Sequence, residues 1–147
     1  MLTTSLLKQE VANARAYLVF AHGAGVDKSS AFIEKISDRL NQRGINVLCF
    51  NFYYMDKRLV DGKRYPPDRM PKLLDCFNKV LAELTTELPI YLMGKSMGGR
   101  VAATLAGEKL VNVNGVICLG YPFHPQKQPE KLRLEPLQQT KLPTLII

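Results

Sequence analysis

Ser96 stands in "YLMGKSMGGR", residues 91–100, where two overlapping patterns imply different chemistries. Through Gly94, Lys95 and Ser96 the stretch reads as the end of G-x-x-x-x-G-K-[ST], a loop whose N–H groups cradle phosphate. Through Gly94, Ser96 and Gly98 it reads as G-x-S-x-G, a serine nucleophile carried on a sharp turn from strand to helix. Spacing rejects the first pattern, because the phosphate loop needs a glycine five residues before Gly94 and Pro89 stands there. The intervening Ile90, Tyr91, Leu92 and Met93 form an apolar, β-prone run suited to a buried strand, whereas a phosphate loop needs flexible backbone. In the second pattern the residues two before and two after the serine must be small to avoid clashing across the turn, and Gly94 and Gly98 occupy both places.

The elements around this turn alternate. Residues 16–21, "AYLVFA", read as a buried strand, and "SAFIEKISDRLNQRG" as a helix with Phe32, Ile33, Ile36 and Leu40 on one face, stopped near Gly44. "INVLCFNF" is the next strand, and Pro71 starts a helix whose apolar stripe is Leu73, Leu74, Phe77, Val80, Leu81 and Leu84. The strand over 90–93 follows, then a helix over about 97–110 whose Ala102, Ala103, Ala106 and Gly107 permit close approach to a sheet. "GVICLGYPF" is a fourth strand, and a polar, Pro-rich excursion from His124 to Leu142 leads to "PTLII", a fifth. Such alternation predicts an α/β fold: a parallel sheet of about five strands with right-handed crossovers and helices on both faces, as one domain over residues 1–147.

Composition narrows the function classes. The 147 residues suffice for one core, and no stretch approaches the roughly 18 apolar residues of a membrane span. Lys8, Glu10 and Arg15 interrupt the N-terminal region where a signal peptide would be continuously apolar, so a soluble, cytoplasmic protein with no membrane partner is expected. Cys49, Cys76 and Cys118 are odd in number, far apart and set among apolar neighbours, which suggests buried thiols and neither a disulfide framework nor a metal site. No cofactor is called for. The formal charge of +7 is spread among carboxylates and accompanies no nucleic-acid motif, so no nucleic-acid partner is expected. The densest basic stretch, residues 57–72, reads as a solvated loop; within it Arg64 and Arg69 are weak candidates for holding an acidic substrate group.

In open parallel sheets ligands bind beyond the carboxyl ends of the strands, and "HGAG", "GKSMGG" and "GYPFHP" all fall on that edge. Acyl transfer needs a nucleophile and N–H donors aimed at the developing oxyanion. Ser96 is the candidate nucleophile, the backbone N–H groups of Met97 and Ala24 are the candidate donors, and Gly23 and Gly25 allow close approach of backbone to a small-molecule acyl substrate. Cys118 and Tyr121 flank Gly120 nearby, and core packing accounts for Cys118.

"FAHGAG", "RYPPDRMP", "GKSMGGR" and "CLGYPFHP", in that order and over nearly the whole chain, resemble the α/β-hydrolase superfamily. The closer resemblance is to small bacterial hydrolases similar to dienelactone hydrolases, a group that also looks related to the hydrolase-like domain of a chromatin acetyltransferase-complex subunit. The resemblance implies a serine, acid and histidine triad hydrolysing an ester-like or related acyl bond, with the acid and histidine following the serine in that order. It places both beyond Ile147, so the expectation is a partial hydrolase fold, lacking the C-terminal part with the triad acid and base and inactive alone. It also implies that His22 shapes its loop by hydrogen bonding and is not the base. His124, after the fourth strand, is a weak candidate base, with Glu130 a weaker orienting acid. The competing class is a non-catalytic interaction module. An open outer edge on residues 143–147, carrying Leu145, Ile146 and Ile147, would favour self-association.

Overall fold

The β-branched and apolar runs form strands that share one sheet. A computed structural model of the chain describes residues 6–108 and 112–147. Strands β2 (Ala16–Ala21), β3 (Ile45–Phe50), β4 (Ile90–Lys95), β5 (Gly115–Leu119) and β6 (Thr144–Ile146) run parallel, and β1 (Leu6–Gln9) pairs antiparallel with β3. The order across the sheet is β1-β3-β2-β4-β5-β6. The five parallel strands are the expected ones; β1 is additional. Its four residues hold only two adjacent leucines, too short a pattern to register as a strand in sequence.

Alternation along β2 shows how the two faces are covered. Leu18 and Phe20 pack with Ile33, Val47, Cys49 and Met93 beneath α1 (Ala31–Gln42). Tyr17, Val19 and Ala21 point the other way, into a core shared with Leu73, Phe77 and Val80 of α3 (Met70–Glu83) and Val101, Ala102 and Leu105 of α4 (Met97–Gly107). Each fully buried Leu, Val or Phe contributes roughly 1.5–3 kcal/mol of transfer free energy, so this second, larger face dominates the stability of the sheet. The Ser30 hydroxyl accepts from Ile33 N at 3.4 Å to start α1, and Pro71 lies in the first turn of α3.

Several details depart from the sequence reading. Phe32 turns away from the core, and its ring lies under the Lys95 ammonium at 4.5 Å; the buried place on α1 goes to Ser37, whose hydroxyl meets the Cys49 thiol at 3.5 Å. The strand "INVLCFNF" ends at Phe50, and residues 53–61 form a helix, α2 (Tyr53–Asp61), closed by Gly62 at φ 71°. The excursion after β5 contains a short helix, α5 (Glu135–Gln139), and a Cβ on Gly107 would lie 3.3 Å from Gln139 Cβ, so Gly107 faces α5 and not the sheet. The expected end of the 97–110 helix falls partly outside the described residues, since α4 is described to Gly107. The three cysteines are free and buried. Among the described residues no group of three or more His, Cys, Asp or Glu could hold a metal, and no helix is long and apolar enough to cross a membrane. At the far edge β6 pairs only with β5 among the described residues, and Leu145, Ile146 and Ile147 are exposed.

Candidate active site

Strand β4 is paired on both sides, by β2 and by β5, and runs directly into Ser96. The Ser96 N–H still donates to Leu119 O of β5 at 2.8 Å, while its own C=O already accepts from Gly99 N at 3.0 Å and Arg100 N at 3.2 Å as the first turn of α4. One residue must therefore convert sheet into helix. Ser96 does so at φ 53° and ψ −115°, a conformation that non-glycine residues rarely adopt and that costs on the order of 1–3 kcal/mol.

Glycines make the turn possible. A Cβ on Gly94 would lie 2.1 Å from Gly98 C and 2.2 Å from Gly99 N, and a Cβ on Gly98 would lie 2.5 Å from both Ala21 O and His22 O. The start of α4 thus rests on the backbone of β4 on one side and on the end of β2 on the other. Gly99 adds a third close approach, with its Cβ position 2.9 Å from Gly94 O and 3.3 Å from Cys118 Cβ.

The loop after β2 meets the same turn, since a Cβ on Gly23 would sit 3.3 Å from Lys95 O and 3.8 Å from Ser96 Cβ. His22, fully buried, holds that loop. Its Nδ1 lies 2.6 Å from Gly23 O and its Nε2 accepts from Phe52 N at 3.0 Å, a pair that requires the neutral ring with its proton on Nδ1. Burial pushes the His22 pKa down to about 4, against smaller raising effects of the Gly23 carbonyl and of Asp27 and Asp56. The Tyr54 hydroxyl donates to Ala24 O at 3.0 Å, and Asn51 Oδ1 accepts from Lys28 N at 2.8 Å. Asn51 and Tyr54 were not singled out from the sequence. The missed signal is the polar Asn51 inside an otherwise apolar run, fully buried here and bonded to Asp56 in the first turn of α2.

Ala24 is exposed at the loop's tip, and Met97 is the first helical residue of α4. The N–H groups of a helix's first turn lack intrahelical partners and carry the positive end of its dipole, so the Met97 end of α4 suits negative charge. Gly25 faces open space, with nothing within 4 Å of a Cβ position.

No hydrogen bond among the described residues joins the remaining sequence candidates to Ser96. His124 is exposed, its Nδ1 is 2.9 Å from Pro125 O, and no hydrogen bond among the described residues joins it to Ser96. Glu130, Arg64 and Arg69 are exposed. The basic stretch is organised by its own contacts: Arg58 Nε donates to Tyr65 O at 2.7 Å, and the Lys57 ammonium lies 4.3 Å from the centre of the Tyr65 ring.

The family profile of the alpha/beta hydrolase domain matches residues 14–147. The chain belongs to the alpha/beta hydrolase family. Among solved structures, this alpha/beta hydrolase chain is similar to a dienelactone hydrolase from Anabaena variabilis, with a TM-score of 0.72 at 17% identity over 98% of this chain and 79% of that one. An alpha-beta serine hydrolase homologue from Coxiella burnetii gives a TM-score of 0.72 at 17% identity, covering 97% of this chain and 66% of that one. Est1E from Butyrivibrio proteoclasticus gives 0.61 at 16% identity, covering 79% of this chain and 46% of that one. At such identities the likeness is one of fold, and the chain spans about half the length of Est1E.

Proposed function

We propose that this chain is a serine hydrolase of the alpha/beta hydrolase type acting on an ester-like or related acyl bond, with Ser96 as nucleophile. The observation that supports this most is the positive-φ Ser96 at the head of α4, with the His22–Gly25 loop packed against it. In this reading Ser96 Oγ attacks the substrate carbonyl, and the carbonyl oxygen, as it becomes negative, receives the N–H groups of Met97 and Ala24. Gly94 and Gly98 hold the turn, Gly23 admits the loop beside it, and Gly25 leaves room for the substrate. His22 has a structural role here: both its ring nitrogens are engaged by backbone, and its depressed pKa leaves it a poor proton acceptor. Among the described residues no hydrogen bond joins a base to the Ser96 side chain, and such a serine is a weak nucleophile, so this chain by itself is expected to turn over activated esters little or not at all. We place it in the cytoplasm.

The test combines labelling and turnover. A fluorophosphonate probe at high concentration should label this chain slowly at Ser96, and Ser96→Ala should remove the label while 4-nitrophenyl acetate turnover stays near background in both. Labelling that survives Ser96→Ala would exclude Ser96 as nucleophile. Robust turnover lost in His124→Ala would make His124 the base, and robust turnover lost only in Ser96→Ala would mean another base acts.

The exposed edge of β6 favours a second reading, a hydrolase-like module that associates with itself. The side of β6 that is unpaired among the described residues offers N–H and C=O groups beside exposed Leu145 and Ile146, and such edges recruit another chain. Sedimentation at roughly tens of micromolar, where exposed apolar edges associate, should show dimers or larger species that Leu145→Lys disperses. A monomer whose β6 amides are protected from hydrogen exchange would defeat this reading.

A further inference from the structure

Ala24 stands between two peptide units whose carbonyls are both pinned. Gly23 O is held by the buried His22 ring, with Nδ1 at 2.6 Å, and Ala24 O accepts from the Tyr54 hydroxyl at 3.0 Å. A peptide unit is planar and trans, so its N–H points opposite to its C=O, and a carbonyl anchored inward turns the N–H the other way. His22 thereby directs the Ala24 N–H and Tyr54 the Gly25 N–H, at a tip where Ala24 and Gly25 are both exposed. Beyond Ala24 O the next side-chain tether of this loop to the segment after β3 is Lys28 N on Asn51 Oδ1 at 2.8 Å. The Tyr54 hydroxyl therefore holds the tip between two tethers four or more residues apart.

Tyr54 is itself clamped. Its side chain is buried, and burial pushes its pKa up to about 12, so the hydroxyl is a donor at neutral pH. Tyr54 N donates to Asp68 Oδ2 at 3.1 Å, and the Arg58 guanidinium lies 5.3 Å from the centre of the Tyr54 ring while Arg58 Nε donates to Tyr65 O at 2.7 Å. Tyr65 and Asp68 are half-buried, whereas Arg64 and Arg69 beside them face solvent. Between the two contact points stand Pro66 and Pro67, whose rings fix φ and stiffen the spacing. The basic stretch is thus two-sided: its inward residues grip Tyr54 and its outward arginines do not.

We propose that Tyr54 is a positioning residue for the oxyanion donors: braced by Arg58 and Asp68, its hydroxyl holds the Ala24–Gly25 peptide so that the loop presents its N–H groups beside the Ser96 turn in a fixed direction. The role rests on the reading of Ser96 as nucleophile and of the Ala24 N–H as a donor. Donors lower the barrier most when they need no reorientation as charge develops, and an exposed loop tip meets that condition only if its peptide planes are held from outside the loop. "RYPPDRMP" then has a task other than gripping an acidic substrate group: it carries the brace.

The experiment compares Tyr54→Phe, which keeps the buried ring and loses only the hydroxyl, with Tyr53→Phe, which loses the neighbouring hydroxyl that donates to Asp75 at 3.4 Å. Backbone 15N relaxation should show Ala24 and Gly25 becoming mobile in Tyr54→Phe and staying ordered in Tyr53→Phe. Fluorophosphonate labelling of Ser96, measured without denaturant where both variants are folded by circular dichroism, should lose about tenfold in kinact with KI unchanged in Tyr54→Phe, short of the roughly hundredfold or more that deleting an oxyanion donor costs. Tyr53→Phe should label like the parent, which separates positioning from a general loss of packing. Asp68→Ala, acting through Tyr54, should give the same direction of change in both readouts. Unchanged order at Ala24 and Gly25 in Tyr54→Phe, or a loosened loop with kinact unaltered, would overturn the proposal and leave the hydrolase reading standing. A parent chain that never labels at Ser96 would overturn that reading and the positioning role with it, and relaxation at Ala24 and Gly25 would still report whether Tyr54 holds the loop.

Discussion

Gly94→Ala is expected to cost about 3 kcal/mol or more of folding stability, the largest effect of any single methyl group added to this chain. The added carbon would lie 2.1 Å from Gly98 C, 2.2 Å from Gly98 O and 2.2 Å from Gly99 N, distances no real Cβ shows, and all three atoms are backbone. No rotamer change can relieve such a clash. Relief requires lifting the start of α4 off β4, yet Val101, Ala102, Ala103 and Leu105 of that helix are fully buried against the sheet, and Gly98 is held against the Ala21 and His22 carbonyls from the other side. Against a total of roughly 5–15 kcal/mol for a domain, the loss leaves the fold marginal or unfolded. Gly98→Ala should behave similarly, whereas Gly25→Ala meets nothing within 4 Å and should be neutral or slightly stabilising. Urea midpoints of the three variants check this; a Gly94→Ala midpoint equal to that of the parent would refute the account of the turn.

His22 should make the fold sensitive to mild acid. Its folded pKa, about 4, lies below the unfolded value of 6.5 because burial disfavours the charged ring. The unfolded chain therefore binds a proton that the native chain refuses, and stability falls as pH drops from 6.5 toward about 4. A shift of this size corresponds to about 3 kcal/mol across that window, with nothing lost above it. Protonation would also turn Nε2 from acceptor to donor and break the bond from Phe52 N, releasing the His22–Gly25 loop from the segment leading into α2. Stability measured by urea unfolding between neutral pH and pH 4 should show this loss in the parent chain and a flatter profile in His22→Gln, once the contributions of Asp27 and the other carboxylates common to both are subtracted. Parallel pH profiles for the two proteins would remove His22 as the cause.

Much of this architecture follows from local rules. The G-x-S-x-G spacing already dictated a tight turn, because a side chain at either flanking position has nowhere to go; the fold adds the atoms it would strike. Residues 16–21, 45–50 and 90–95 are strands for the reason visible in their composition, apolar runs too short for helices and bounded by glycine or polar residues. Pro71 and the stripe through Leu73, Phe77 and Val80 set α3 by periodicity alone. Local rules carry the strand "INVLCFNF" to Phe52 and give no helix after it; the structure ends that strand at Phe50 and forms α2 over Tyr53–Asp61, where Tyr54 N donates to Asp68 and Asn51 bonds Asp56, partners that only the folded chain supplies. The tautomer and pKa of His22 likewise depend on Phe52 arriving from β3 and on complete burial, neither of which its sequence neighbours specify. The exclusion of water from Arg100 Nε likewise comes from packing around α4 that its sequence neighbours do not specify. Sequence thus determined the turn and the strands, whose causes lie within a few residues. Tertiary structure decided protonation and desolvation, because those depend on atoms that are distant along the chain.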